Sequence, residues 1–275
     1  MKPAFFQIFF GVLLASLSVW AHPGIGIVRD SKGNIFYTDT ERVWKISTNG
    51  KRSIAVPNVH THELYMDAHD NLFGEHLWYE GEVTNKWGHY VWKYDAQGRF
   101  SKVKPKTEGF LQNYSFVRDA TGNMYWLVKS KNGSDWMKLS PQQKIEWLAT
   151  VPTRDVRWQF CRADGAFYYV DDNDLYKIQN GKAVVVCRDL DEVKDEDPAR
   201  KPNNSIFGMW DDPAGNLYVA VTSKKTVKKI APDGRMTIVY QSALTWMPTG
   251  GIVDKKGNLW ILEANALNQV RVVKS

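Results

Sequence analysis

From residue 26 onward the chain alternates apolar and polar positions in short runs, and Gly, Asn and Asp break the runs at regular intervals. A period of two between such punctuating residues predicts β-strands. One unit recurs: an apolar strand ending in Asp, a turn of the form x-x-Gly-Asn, and an apolar-aromatic strand leaving it. Its six copies lie at 26–37, 64–73, 116–125, 160–169, 208–218 and 251–260. Asn34, Asn71, Asn123, Asn216 and Asn258 mark five of them, and Ala166 stands at that place in the fourth. The turn has a mechanism: Asp accepts backbone N–H bonds, while Gly and Asn tolerate positive φ. A third strand follows each copy, and in the first five a polar turn and a fourth strand come next. No helix is expected after the first twenty or so residues.

Repeats of about 42 residues, each four short strands, predict an all-β, six-bladed β-propeller. One such sheet cannot bury both its faces; a ring of six can. The blades are expected to be four-stranded and antiparallel, with the last one ending after its third strand. Cys161 and Cys187 fall on the first and fourth strands of one blade, roughly 14 Å apart at the usual strand spacing. A disulfide needs Cα atoms within about 7 Å, so two free thiols are expected.

The phrases Pro-Thr-Gly-Gly-Ile-Val-Asp-Lys-Lys-Gly-Asn-Leu-Trp at 248–260 and Asp-Pro-Ala-Gly-Asn-Leu-Tyr-Val-Ala at 212–220 carry a resemblance. They are similar to the six-bladed propeller superfamily of NHL-repeat proteins and gluconolactonase (regucalcin)-like lactonases, and the likeness covers the whole chain after the first 21 residues. It implies the fold strongly and the activity weakly. Regucalcin-like lactonases hold a divalent metal with Glu, Asn and Asp from different blades. Glu63, Asn113, Asn204 and Asp171 are the residue types available here, but their surrounding motifs differ. Amidating lyases on this fold take zinc histidines from three blades, whereas these histidines crowd into one. Streptogramin lyases carry a catalytic histidine pair, which His60-Thr-His62 resembles in spacing only.

Composition narrows the function. The net charge of +6 is spread along the chain with no basic block, which argues against nucleic acid as partner. The 12 Trp, 12 Tyr and 12 Phe suit sheet packing, with some left over for stacking on a ring. Residues 1–21 read as an export signal: Lys2, an apolar run from Ala4 to Trp20, and Val19-Trp20-Ala21 before His22. A single propeller over 22–275 is therefore expected in an exported form, periplasmic or secreted. It should be monomeric and free of membrane once the signal is removed.

The chemistry concentrates at 59–80, which holds four of the six histidines: His60, His62, His69 and His76. Tyr65-Met66 enters a turn and Leu72-Phe73 leaves it. If Met66 faces Leu72, the same register sets His62 opposite His76 and Glu63 opposite Glu75. Side chains directly across a strand pair lie about 4.5–5.5 Å apart at Cβ. That is chelating distance for two imidazoles, and two facing carboxylates repel unless a proton or cation sits between them. His62, His76 and Glu63 are the expected ligands of a divalent ion, zinc or calcium. Glu75 or His60 would move the proton, and Arg157 or Asn204 would orient substrate. Asn113, Tyr114 and Asn204 start other inner strands at the same mouth. Trp78, Tyr79 and Trp87, on the long 78–89 segment, would stack on a ring as a lid. The expected activity is a metal-assisted lactonase, lyase or hydrolase of a small polar or carbohydrate-derived compound. The alternative is a non-catalytic propeller that presents its aromatic face to a glycan or a protein.

Overall fold

A computed structural model describes residues 23–108, 117–191 and 205–275. Six antiparallel sheets follow the six repeats in chain order. Blade 1 is β1 (Ile27–Arg29), β2 (Ile35–Thr38), β3 (Val43–Ile46) and β4 (Arg52–Val56). Blade 2 is β5 (Leu64–Met66), β6 (Leu72–Tyr79), β7 (Trp87–Tyr94) and β8 (Phe100–Glu108). Blade 3 is β9 (Met124–Ser130), β10 (Gly133–Leu139) and β11 (Ile145–Val151). Blade 4 is β12 (Val156–Cys161), β13 (Phe167–Asp171), β14 (Asp174–Gln179) and β15 (Lys182–Cys187). Blade 5 is β16 (Ile206–Asp211), β17 (Leu217–Val221), β18 (Thr226–Ile230) and β19 (Met236–Gln241). Blade 6 is β20 (Trp246–Val253), β21 (Leu259–Asn265) and β22 (Val270–Lys274), three strands as expected. The fold is a six-bladed β-propeller. In blade 3, Arg118 bridges Met124 and Val117 accepts the Tyr125 N–H; the rest of its expected inner strand lies outside the described residues.

The repeated turn folds by the chemistry read from it. In each Asp-x-x-x-Asn copy the Asn N–H and side-chain amide both donate to the Asp carboxylate, as in Asn34 to Asp30 and Asn258 to Asp254. The residue before Asn takes positive φ: glycine in four copies and Asp70 at 59° in blade 2, and Gly165 does the same before Ala166 in blade 4. In blade 4, Arg162 replaces the Asp and reaches Asp211 of blade 5 at 3.1 Å.

Apolar clusters sit between neighbouring blades. Phe36 and Val43 of blade 1 meet Leu64, Leu72 and Trp92 of blade 2, and Ile27, Ile35 and Tyr37 meet Leu262 of blade 6. The ring is therefore closed by packing blade 6 on blade 1. Thr249 Oγ1 adds a bond to Gly24 O at 2.9 Å, and a Cβ on Gly250 would lie only 2.3 Å from Ile25 O. Cys161 and Cys187 are free, on the first and fourth strands of blade 4.

One irregularity repeats. The first strands of blades 4, 5 and 6 each carry an extra residue against their partner, at Arg157, within Phe207–Gly208 and at Thr249. Such β-bulges re-aim side chains and cluster at rims.

A carboxyl pair and an imidazole pair at the head of blade 2

The hairpin of blade 2 opens in the expected register: Met66 faces Leu72, Tyr65 faces Phe73 and Leu64 faces Gly74. Beyond that the expectation fails. His62 does not face His76. The Leu77 N–H donates to His60 O, one residue out of step, and the His60 N–H donates to His76 Nδ1 at 3.0 Å. Counted from the turn, His62 is the position that carries the bulge residue Arg157 in blade 4 and Thr249 in blade 6. The slip thus belongs to the repeat, and it exchanges His62 for His60 as the neighbour of His76.

The loop entering β5 is held from blade 1. His62 O accepts the N–H groups of Ile25 and Gly26, both at 2.9 Å, and Thr61 O accepts Thr38 Oγ1 at 2.7 Å. On this scaffold His60 Nε2 and His62 Nε2 lie 2.9 Å apart, close enough to share one proton. His76 stacks on Tyr90 with ring centroids 4.6 Å apart. Burial lowers the pKa of His60 and of His76; Glu41 acts against it at His60, and the nearby His60 and Lys102 add to it at His76. With Nδ1 accepting a bond, neutral His76 carries its proton on Nε2.

Glu63 and Glu75 come together as expected, but not as a simple cross-strand pair. The Glu75 carboxylate turns into the gap that the lost ladder leaves. Its Oε1 accepts the His62 N–H at 2.9 Å, with the Glu63 N–H at 3.5 Å, while its carbonyl accepts the Trp92 indole N–H at 3.0 Å. Glu75 is 6% exposed, and its Oε2 meets no hydrogen-bond donor among the described residues. Burial, then the charge of Glu63, pushes the Glu75 pKa up to about 8, with the backbone N–H groups opposing; burial alone pushes Glu63 up to about 7. Around neutrality the two carboxyls hold roughly one proton between them.

Glu63 is the member that reaches the central channel. It lines a cavity of about 240 Å³ bounded by first-strand residues of every blade, among them Tyr65, Arg118, Trp158, Phe160 and Trp210. Glu75 does not line it. The channel group is therefore Glu63, with Glu75 behind it. Positions equivalent to Glu63, four before the turn Asp, are Gly26, Gly208 and Gly250 in blades 1, 5 and 6, and Trp158 in blade 4. Positions equivalent to Glu75 are Thr38, Leu127, Val170, Ala220 and Leu262. Comparing the repeats position by position thus marks both carboxylates as exceptions, and marks Trp158 as a channel residue that periodicity alone overlooks.

The other expected site residues are distributed. The Arg157 side chain, 8% exposed, lies 3.3 Å from both Asp155 and Asp172 at the head of blade 4. Trp78, Tyr79 and Trp87 lie on the β6–β7 hairpin, where Trp78 faces Gly88 and Tyr79 faces Trp87. Trp78 packs over Gly88 and under Lys106, whose Nζ is 3.9 Å from the ring centre, so the hairpin packs on itself; Tyr79 is 57% exposed. Asn113, Tyr114, Asn204 and the expected export signal lie outside the described residues. Among the described residues no helix is long and apolar enough to cross a membrane, and no three His, Cys, Asp or Glu side chains are disposed to hold a metal ion. His60 and His62 offer two converging nitrogens, but the carboxylates belong to the other pair.

This architecture is shared with solved structures. A Bacteroides thetaiotaomicron VPI-5482 protein of unknown function aligns over 91% of this chain and 68% of its own, at 18% identity and a TM-score of 0.61. An auxiliary nutrient binding protein from the same strain aligns over 92% and 69%, at 12% identity and 0.58. A candidate gluconolactonase aligns over 91% and 88%, at 11% identity and 0.53. No family model and no curated protein matches the sequence.

Proposed function

We propose that this chain is an exported propeller enzyme that moves protons on a small polar or carbohydrate-derived compound in its channel, as a lactonase, lyase or hydrolase. The observation that carries this reading is the Glu63–Glu75 pair: two carboxyls inside the protein, one at a core position of the repeat, retaining a proton near neutral pH. Titratable neighbours with shifted affinities are how one site supplies both acid and base. Glu63 touches the ligand and would give or take the proton. Glu75 is a positioning residue that keeps a proton on the pair. The His60–His62 pair, next to Glu63 along the chain, would exchange protons with solvent at the mouth.

A second reading has its own observation. The facing Nε2 atoms of His60 and His62 would provide two nitrogen ligands for a zinc ion, with further ligands from a substrate or solvent. No step above depends on it. Metal analysis of the purified protein, with His60→Ala and His62→Ala beside it, tests this reading; stoichiometric metal lost in both variants supports it. The enzymatic reading is tested by turnover of a panel of lactones, glycosides and unsaturated sugar acids. Turnover abolished in Glu63→Gln supports it. Full activity in that variant refutes it, and ligand binding without turnover favours the non-catalytic alternative.

A further inference from the structure

We propose that the channel takes a small organic ammonium ion, its nitrogen on the Glu63 carboxyl, which Glu75 backs from behind, and its carbon skeleton among Trp158, Phe160 and Trp210. This rests on the site described above, but on binding rather than on turnover.

Neither carboxylate has a cation of its own. No ion pair among the described residues includes Glu63 or Glu75, and Glu75 Oε2 is buried without a donor. Elsewhere this protein satisfies such a group. Glu263 is fully buried, and it accepts Tyr240 Oη at 3.0 Å and Arg271 Nε at 2.6 Å. A buried carboxylate left without partners is costly, and a cationic N–H donor from outside removes that cost.

The walls select the kind of cation. Calcium wants about six to eight oxygen ligands, and magnesium keeps an octahedral shell. Around Glu63 the cavity is bounded instead by the aromatic residues Trp158, Phe160 and Trp210 and by the glycines Gly26, Gly208 and Gly250. An ammonium needs at most three acceptors and gains from aromatic faces. The cavity, about 240 Å³, fits only a small molecule. Arg118 bounds it on the other side, lying over the Tyr65 ring at 4.8 Å. Tyr65 is two residues beyond Glu63, roughly 7 Å along the strand, so the cationic end has one place to go. Besides Glu63, the titratable residues lining the cavity are Tyr65, Arg118 and Cys161, with His60 and His62 on the segment before β5.

The experiment is titration calorimetry of the full chain with n-butylammonium, n-butanol and calcium. Butylammonium is expected to bind, butanol to give no heat, and calcium not to compete. Glu63→Gln and Glu75→Gln, each shown folded by circular dichroism, are expected to weaken butylammonium by about tenfold or more. Butanol binding as well as butylammonium overturns the proposal, as does calcium binding without ammonium binding, or unchanged affinity in both variants. The comparison of butylammonium with butanol on the unaltered protein needs no variant. An ammonium that binds without turnover leaves this inference standing and removes the enzymatic reading; turnover of neutral substrates without ammonium binding does the reverse.

Discussion

Blades 1 and 2 share one turn and differ at the opposite end of the hairpin. In blade 1 the ladder runs on from the turn until the Thr38 N–H meets Gly26 O, and Thr38, fully buried, spends its hydroxyl on Thr61 O. Blade 2 replaces that Gly and Thr with Glu63 and Glu75. There the ladder stops at Leu64–Gly74, and a carboxylate fills the gap. The first arrangement is what a repeat needs in order to pack. The second spends stability on two groups that would rather be in water, and such departures from a local rule concentrate at functional sites.

The change that should break this contrast most strongly is Glu75→Leu, which gives blade 2 the residue that blade 6 carries as Leu262. It removes the buried carboxylate but keeps most of the volume. Function should fall about a hundredfold or more, while the midpoint of thermal unfolding should rise by about 2 °C or more. A lower midpoint together with unchanged turnover and ligand affinity would mean that Glu75 serves packing alone.

The pH dependence of stability sharpens the same point. Both carboxyls hold their protons more tightly in the folded chain than their ordinary value of 4.5. Between that value and the raised ones the folded state binds more protons, so their contribution to stability shrinks as pH climbs and levels off only above about 8. His60 and His76 act in the opposite sense, costing stability as pH falls below their ordinary 6.5. From pH 7 to 9 only the carboxyl effect remains of these two. Denaturant midpoints should decline over that interval, and the decline should flatten in the Glu63→Gln, Glu75→Gln double variant. A slope the same in both proteins would remove the pair as its cause.

How much of this was legible depends on how local each cause is. The Asp–Asn turns follow from chemistry within five residues, so the repeat, its strands and the ring they imply could be read directly. The pairing of Met66 with Leu72 follows from that turn. The bulge does not, because it is imposed where the first strands crowd around the channel and Gly208 and Gly250 press against neighbouring backbone. A period-two count carried past it assigns His62 the place that His60 occupies. Which carboxylate faces the channel is hidden for the same reason. That both are exceptional was open to a comparison of the six copies, since Glu75 stands where the others carry Thr38, Leu127, Val170, Ala220 and Leu262.

The smallest effect is expected at the β6–β7 hairpin, which also separates the two blades. In blade 1 the corresponding strands pair only from Ile35–Ile46 to Thr38–Val43; in blade 2 they run from Leu72–Tyr94 to Tyr79–Trp87. A lid would hold its aromatics over the ligand. Here Trp78 is committed to Gly88 and Lys106, and Lys106 to Glu80 at 2.9 Å. Tyr79 extends into solvent, and its hydroxyl is 3.5 Å from Asn85 Oδ1, at the edge of hydrogen-bond geometry. Trp78→Ala should therefore cost stability, about 1–2 kcal/mol for a half-buried indole under a cation, with ligand affinity changed by no more than about threefold. Tyr79→Ala should change neither. A tenfold loss of affinity in Tyr79→Ala at unchanged stability would make the hairpin part of the site, and would extend the difference between the blades from the channel to the outer face.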